Sequence, residues 1–250
     1  MLRSSGMFVG SFIGDTAIYD DKGVIDEHLS SISPYRYRRY EAIKPESGKK
    51  LSLLSSHLVD EGLRAYGLRE KDMEYGHSDK GRPFFMDRPD IRFSISHSGT
   101  KAMMCMTGPF TEKAAIVHHG ISYYLLDLPD ENGTVLKGIG CDIERIRPYS
   151  ERTEGIIDRF FHRDEAAYIY NTRNDSDRAE AFTKIWTLKE SYIKALGTGL
   201  SEGMETFGII PNDSGVTFKT TKVTGLSRSI YFTDINPPEG YKASFCAVFE

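Results

Sequence analysis

Two stretches about fifty residues apart keep two different periods, one that of a strand and the other that of a helix, so the chain must hold both kinds of element. In G-I-G-C-D-I-E-R, residues 138–145, apolar and acidic positions follow the period of two expected of a strand. Asp142 and Glu144 therefore project from one face. In F-T-K-I-W-T-L-K-E-S-Y-I-K-A-L-G, residues 182–197, the period is helical: Phe182, Ile185, Trp186, Ile193 and Leu196 share one stripe, with Lys189 out of pattern in its middle. Glu190 lies on the flank of that stripe. Two carboxylates on a strand face and one on a helix edge suit a hard cation such as magnesium. The blander readings are a half-exposed strand and, for Glu190 with Lys194, an i, i+4 surface ion pair worth about 0.2–0.5 kcal/mol. Gly138 and Gly140 cost strand stability, and the benefit expected is close approach of a ligand or another backbone.

Along the rest of the chain, residues 7–20 read as a strand ending at Asp20 and Asp21. Lys50 to Tyr66 has Leu51, Leu54, Leu58, Leu63 and Ala65 at near-helical intervals and stops at Gly67. D-I-R-F-S-I-S-H-S and K-A-M-M-C-M-T read as strands joined through Ser98, Gly99 and Thr100, with His97 on the face of Ile91, Phe93 and Ile95. An extra hairpin is expected within 108–137, around a P-D-E-N-G turn, followed by a helical pair over 151–171 and 175–196 and strand-rich sequence from Phe207 to Phe249. The recurring order of strand, helix and strands predicts an α+β fold of two similar lobes. The division expected is an N-terminal lobe 1–108, a connecting insertion 109–137 and a C-terminal lobe 138–250.

Composition limits the partners. The formal net charge of −4 argues against general nucleic-acid binding. Apolar runs fall short of the roughly 20 residues a membrane span needs, and the N-terminus reads as a first strand rather than a signal peptide, so a cytoplasmic protein is expected. Cys105, Cys141 and Cys246 have no metal-binding spacing and read as buried free thiols. An anionic ligand must then be held by local basic clusters. Arg36, Arg38 and Arg39, interleaved with Tyr35, Tyr37 and Tyr40, are one such cluster: either a solvated basic face or a phosphate clamp.

Five motifs in order between residues 81 and 200 carry a resemblance: G-R-P-F-F, F-S-I-S-H-S-G, G-I-G-C-D-I-E, R-F-F-H-R-D-E and W-T-L-K-E-S-Y-I-K-A-L-G-T-G-L. The chain resembles the 4′-phosphopantetheinyl transferases, of the monomeric surfactin-synthetase-activating type rather than the short trimeric holo-acyl-carrier-protein synthases. The resemblance implies a pseudo-twofold pair of lobes with the active site in the cleft between them. It implies transfer of 4′-phosphopantetheine from coenzyme A to a serine of an apo acyl or peptidyl carrier protein, releasing adenosine 3′,5′-bisphosphate.

By the same resemblance Asp142, Glu144 and Glu190 are magnesium ligands, and Glu190, or a metal-bound water that it orients, takes the serine proton. Lys194 sits on the diphosphate, with Lys189 close to the same charge. Ser96, His97 and Arg82 hold the 3′-phosphate end of the coenzyme, Arg36 and Arg39 match an N-terminal basic pair, and Ser52 matches a further phosphate contact. Two departures stand out. The 108–137 segment is longer than the link expected in the family, and Arg82 stands where lysine is common. Two other readings use the same residues: a magnesium-dependent phosphohydrolase, and a catalytically silent coenzyme A binding module.

Overall fold

The computed structural model describes residues 8–111, 120–129, 134–199, 203–213, 215–220 and 229–250. The chain divides into two compact units, 1–133 and 134–250.

The first unit runs β1 (Phe8–Asp15), α1 (Lys22–Leu29), α2 (Pro34–Ala42), α3 (Glu46–Arg64), β2 (Tyr75–His77), β3 (Pro83–Phe85), β4 (Phe93–Ser98), β5 (Lys101–Gly108) and β6 (Ser122–Asp127). Its main sheet is antiparallel with order β4-β5-β1-β6, and β2 with β3 forms a separate ribbon. α3 lies on β1 and β5, closing a core of Phe12, Leu53, Leu54, Leu58, Leu63, Met104 and Phe110. That helix starts at Glu46 rather than Lys50, because the chain turns into it at Pro45, whose ring holds φ at −69°. α1 has no counterpart in the periodicity reading; its start is marked by Asp21, whose side chain accepts from Gly23 N at 2.7 Å. The β4–β5 hairpin turns at Gly99, where φ is +60°.

The 109–137 segment does not stand apart as expected. Part of it is β6, which pairs antiparallel with β1 from Phe8↔Asp127 to Ile13↔Ser122 and so belongs to the N-terminal sheet. The physical reason lies in β1, whose middle residues are all buried: one edge is taken by β5, and the other edge needs a partner for its backbone groups. The compact unit accordingly ends at Gly133, with Thr134 to Lys137 in the second unit. The rest of the expected hairpin, residues 112–119, and the tip of the P-D-E-N-G turn, residues 130–133, lie outside the described residues.

The second unit runs β7 (Leu136–Arg145), α4 (Glu151–Phe160), α5 (Arg163–Tyr170), α6 (Asp175–Leu196), β8 (Phe207–Asn212), β9 (Gly215–Thr220), β10 (Ser229–Asp234) and β11 (Tyr241–Phe249). β10, β11 and β7 form an antiparallel sheet, β8 and β9 a hairpin, and α6 packs on β7 and β11. The single helix expected over 151–171 is two helices. The break is a capping box: His162 Nδ1 accepts from Asp164 N at 3.2 Å while the Glu165 carboxylate accepts from His162 N at 2.7 Å.

Each unit thus sets one long helix on an antiparallel sheet, the expected α+β class. All three cysteines are free and buried. No helix among the described residues is long and apolar enough to cross a membrane.

Candidate active site

Strand alternation places Gly138, Gly140, Asp142 and Glu144 on one face of β7, the face that α6 covers. The two glycines explain how close the helix comes. A Cβ on Gly138 would lie 2.0 Å from the Ala195 carbonyl oxygen, and one on Gly140 would lie 2.0 Å from that of Ser191. Of the two benefits expected from these glycines, the structure selects the approach of another backbone. Further along the same face the side chains become carboxylates, Asp142 buried and Glu144 half-buried.

α6 brings its last two turns over these carboxylates. It starts on Asn174, whose side chain accepts from Asp177 N, and ends at Gly197, whose φ of +71° is left-handed. Lys194, in the last turn where the helix dipole favours a cation, donates to Asp142 Oδ1 at 2.6 Å. Burial draws the Lys194 ammonium down, but Asp142 more than offsets this, and the group is held above the ordinary lysine range. The Glu190 carboxyl is pushed up by burial, then by the charge of Asp142 and, more weakly, Glu144, against the pull of Lys194. The four groups therefore feel one another. Among the described residues no group of three or more His, Cys, Asp or Glu side chains is placed to hold a metal ion by itself. The group is acidic and oxygen-only, with Lys194 bonded to one of its carboxylates.

Lys189 is not part of it. Its side chain is 0% exposed, and its ammonium donates to Glu165 Oε1 at 2.9 Å, Glu165 Oε2 at 2.7 Å and the Phe207 carbonyl at 2.8 Å. Three donors meet three acceptors, so the expectation that this lysine lies beside the coenzyme's charge is corrected. Glu165 also accepts from Ile209 N at 2.7 Å, which ties α5, α6 and β8 together. Burial pushes the Glu165 carboxyl up and the Lys189 ammonium down, each against the pull of its partner. The sequence signal was present in R-F-F-H-R-D-E, but nothing local pairs its glutamate with a lysine 24 residues on.

The first unit has its own basic cavity of about 370 Å³, lined by Arg36, Arg39, Ser52 and His97 together with Tyr35 and His77. Four of the residues expected to bind the coenzyme thus come together: His97 of the 3′-phosphate set, the basic pair Arg36 and Arg39, and Ser52. Arg82 and Ser96 do not line it. The Arg82 guanidinium reaches the Phe93 carbonyl at 3.5 Å, and Ser96 is buried on the face of β4 opposite His97. Arg36 is buried against Tyr75 and Glu70, with Nε 3.4 Å from the Tyr75 hydroxyl and 3.7 Å from Glu70 Oε1. Its Nη2 is buried and meets no hydrogen-bond acceptor among the described residues. A buried cationic donor without an acceptor is costly unless a ligand supplies one. Sequence reasoning missed His77, which sat in a turn-rich stretch without a periodic signal.

Comparison with known proteins shows the family. The family model described as "4'-phosphopantetheinyl transferase superfamily" matches residues 138–246, the stretch that carries all three carboxylates. The 4′-phosphopantetheinyl transferase gsp of Aneurinibacillus migulanus is 30% identical over 232 residues, which cover 90% of this chain and 82% of that protein. The 4′-phosphopantetheinyl transferase Sfp of Bacillus subtilis strain 168 is 25% identical over 235 residues, covering 92% of this chain and 90% of that one. Among solved structures, the holo-ACP-synthase from Plasmodium yoelii matches 47% of this chain and 98% of its own at 18% identity, with a TM-score of 0.40. Aligned along nearly its whole length with such relatives, the chain belongs to the 4′-phosphopantetheinyl transferase superfamily.

Proposed function

We propose that the chain moves the 4′-phosphopantetheine group of coenzyme A onto a serine hydroxyl of an apo carrier protein, with the acidic cluster of the second unit as its reaction centre. The observation that carries this reading is the 2.6 Å bond of Lys194 to Asp142 beside Glu190, whose carboxyl is pushed up by burial first and by the charge of Asp142 second. Like charges gathered in a half-buried site favour a ligand that neutralises them.

Asp142, Glu144 and Glu190 would hold a magnesium ion. The donor chemistry suits that ion: all are hard oxygens, and magnesium is ordinarily held by a few carboxylates completed by waters and substrate phosphates. When bound, the ion supplies positive charge to the diphosphate. The remaining work belongs to side chains. Glu190 takes the proton from the carrier serine at a carboxylate oxygen. The serine oxygen forms a bond to the phosphorus of the pantetheine arm, and the bond from that phosphorus to adenosine 3′,5′-bisphosphate breaks. Lys194 donates to the diphosphate as well as to Asp142, holding the leaving group's charge. In the first unit, Arg36, Arg39, Ser52 and His97 take the 3′-phosphate end of the coenzyme; the buried, acceptor-less Nη2 of Arg36 supports that role. Arg82 and Ser96 act from behind this cavity rather than within it. The protein works in the cytoplasm as a monomer.

The test is mass spectrometry of apo carrier proteins incubated with the chain, coenzyme A and Mg²⁺. A gain of one phosphopantetheine on at least one fatty-acid, polyketide or peptide-synthetase carrier is expected, and loss of that gain with a chelator is expected for the metal. Nucleotide release without any carrier would instead favour a phosphohydrolase, and no gain on any carrier would overturn the transferase reading.

A further inference from the structure

Tyr35 stands at a junction in the basic cavity of the first unit. Its ring stacks on Tyr75 with centroids 4.6 Å apart, and the guanidinium carbons of Arg36 and Arg39 lie 5.9 and 5.8 Å from its centre. Its hydroxyl oxygen is 3.2 Å from Arg39 Nη1 and 2.7 Å from His77 Nε2. An arginine only donates, so the phenol oxygen accepts from Arg39, and its own hydrogen is free to point at His77 when Nε2 carries the lone pair. The result is a chain from Arg39 through Tyr35 to His77. Arg39 has no carboxylate within ion-pair distance among the described residues; a phenol and an aromatic face hold it instead. Its charge is therefore oriented but not neutralised.

That distinction matters for what the cavity selects. A lysine acts as a point charge, but a guanidinium recognises a phosphate through a planar fork whose orientation decides how many bonds it makes. We infer that Tyr35 and His77 are positioning residues that fix the Arg39 fork for a phosphate monoester and so set the preference for coenzyme carrying a 3′-phosphate. The inference rests on the reading of this cavity as the site of the coenzyme's phosphate end. It adds the device by which the site tells a phosphorylated ribose from an unphosphorylated one.

The experiment is calorimetric binding of coenzyme A and of dephospho-coenzyme A, which lacks only the 3′-phosphate, to the wild-type chain and to Tyr35→Phe, His77→Ala and His77→Gln. Phenylalanine keeps the ring stack and removes only the junction oxygen. Tyr35→Phe is expected to weaken coenzyme A binding about tenfold while leaving dephospho-coenzyme A unchanged. His77→Ala should cost about threefold, and His77→Gln, whose amide oxygen can accept from the phenol, should restore most of it. If the wild type binds both ligands equally, the phosphate reading of the cavity falls and this inference with it. If the wild type discriminates but Tyr35→Phe and His77→Ala discriminate as well as it does, the reading stands and the inference is overturned. Equal weakening of both ligands by Tyr35→Phe would also overturn it, because the residue would then support the fold rather than the fork.

Discussion

Two lysines five residues apart on α6 each bond a carboxylate, and they do opposite things. Lys189 is sealed in the second unit, with every ammonium hydrogen taken and a glutamate that also accepts backbone N–H groups. Lys194 sits at the helix's last turn with its side chain 28% exposed, bonded to one Asp142 oxygen. The first pair has nothing to exchange. In the proposed reaction the second would give up its carboxylate to a metal and its ammonium to a phosphate. Position along one helix, rather than residue type, separates a brace from a working group.

The sharpest way to break this comparison is to remove the brace. Lys189→Met leaves Glu165 buried without its cation and should cost about 3–5 kcal/mol of stability, measured by denaturant unfolding; a neutral result would show that the pair is dispensable. Adding Glu165→Leu should recover only part, since Ile209 N and His162 N then lose their acceptor. Next in size is Glu190→Gln, expected to slow transfer at least about a hundredfold with stability at neutral pH unchanged or slightly raised, because the neutral amide removes a buried charge, and nearly unchanged coenzyme A affinity. Retained turnover would remove Glu190 as both ligand and base.

Lys194→Met should cost only about 1–2 kcal/mol, and magnesium chloride should offset that loss while doing nothing for the Lys189 variant. Of the three carboxylates, Glu144, the one that weighs less than Asp142 on Glu190, should reduce transfer least when replaced by alanine.

The smallest effect is on pH. The Glu190 carboxyl is raised above its ordinary value of 4.5 by burial first and Asp142 second. In the window just above that value the folded chain therefore holds a proton that the unfolded chain has already lost, so this group's contribution to stability falls as pH rises through it. Magnesium competes with the same proton, so its affinity should rise from mildly acidic to neutral pH. A pH-independent affinity, measured by calorimetry, would detach Glu190 from the metal.

Much of this was legible in the sequence where the deciding interactions are local. The β4–β5 hairpin is written in its alternation and in Gly99, α6 in its stripe and Gly197, and the shared face of Asp142 and Glu144 in their spacing. What stayed hidden depends on partners far along the chain. β6 is a strand because β1, over a hundred residues earlier, needs an edge. Lys189 looked like a ligand for an anion because Glu165 is on another helix. The split between α4 and α5 was missed because histidine is an uncommon N-cap, although Glu165 three residues on completes the box.

Gly138 and Gly140 make the proposed reaction centre dependent on thickness. Because each meets a helix carbonyl where even a methyl group would stand 2.0 Å away, the gap between β7 and α6 is set by bare backbone, with no side chain left to compress or repack. Any residue there would act as a wedge near one end of a long lever, tilting α6 so that Lys194 and Glu190 swing away from Asp142. Gly140→Ala should thus harm transfer through misalignment while touching none of the groups that react. The tolerance of the chemistry is held by the two residues that have no side chain.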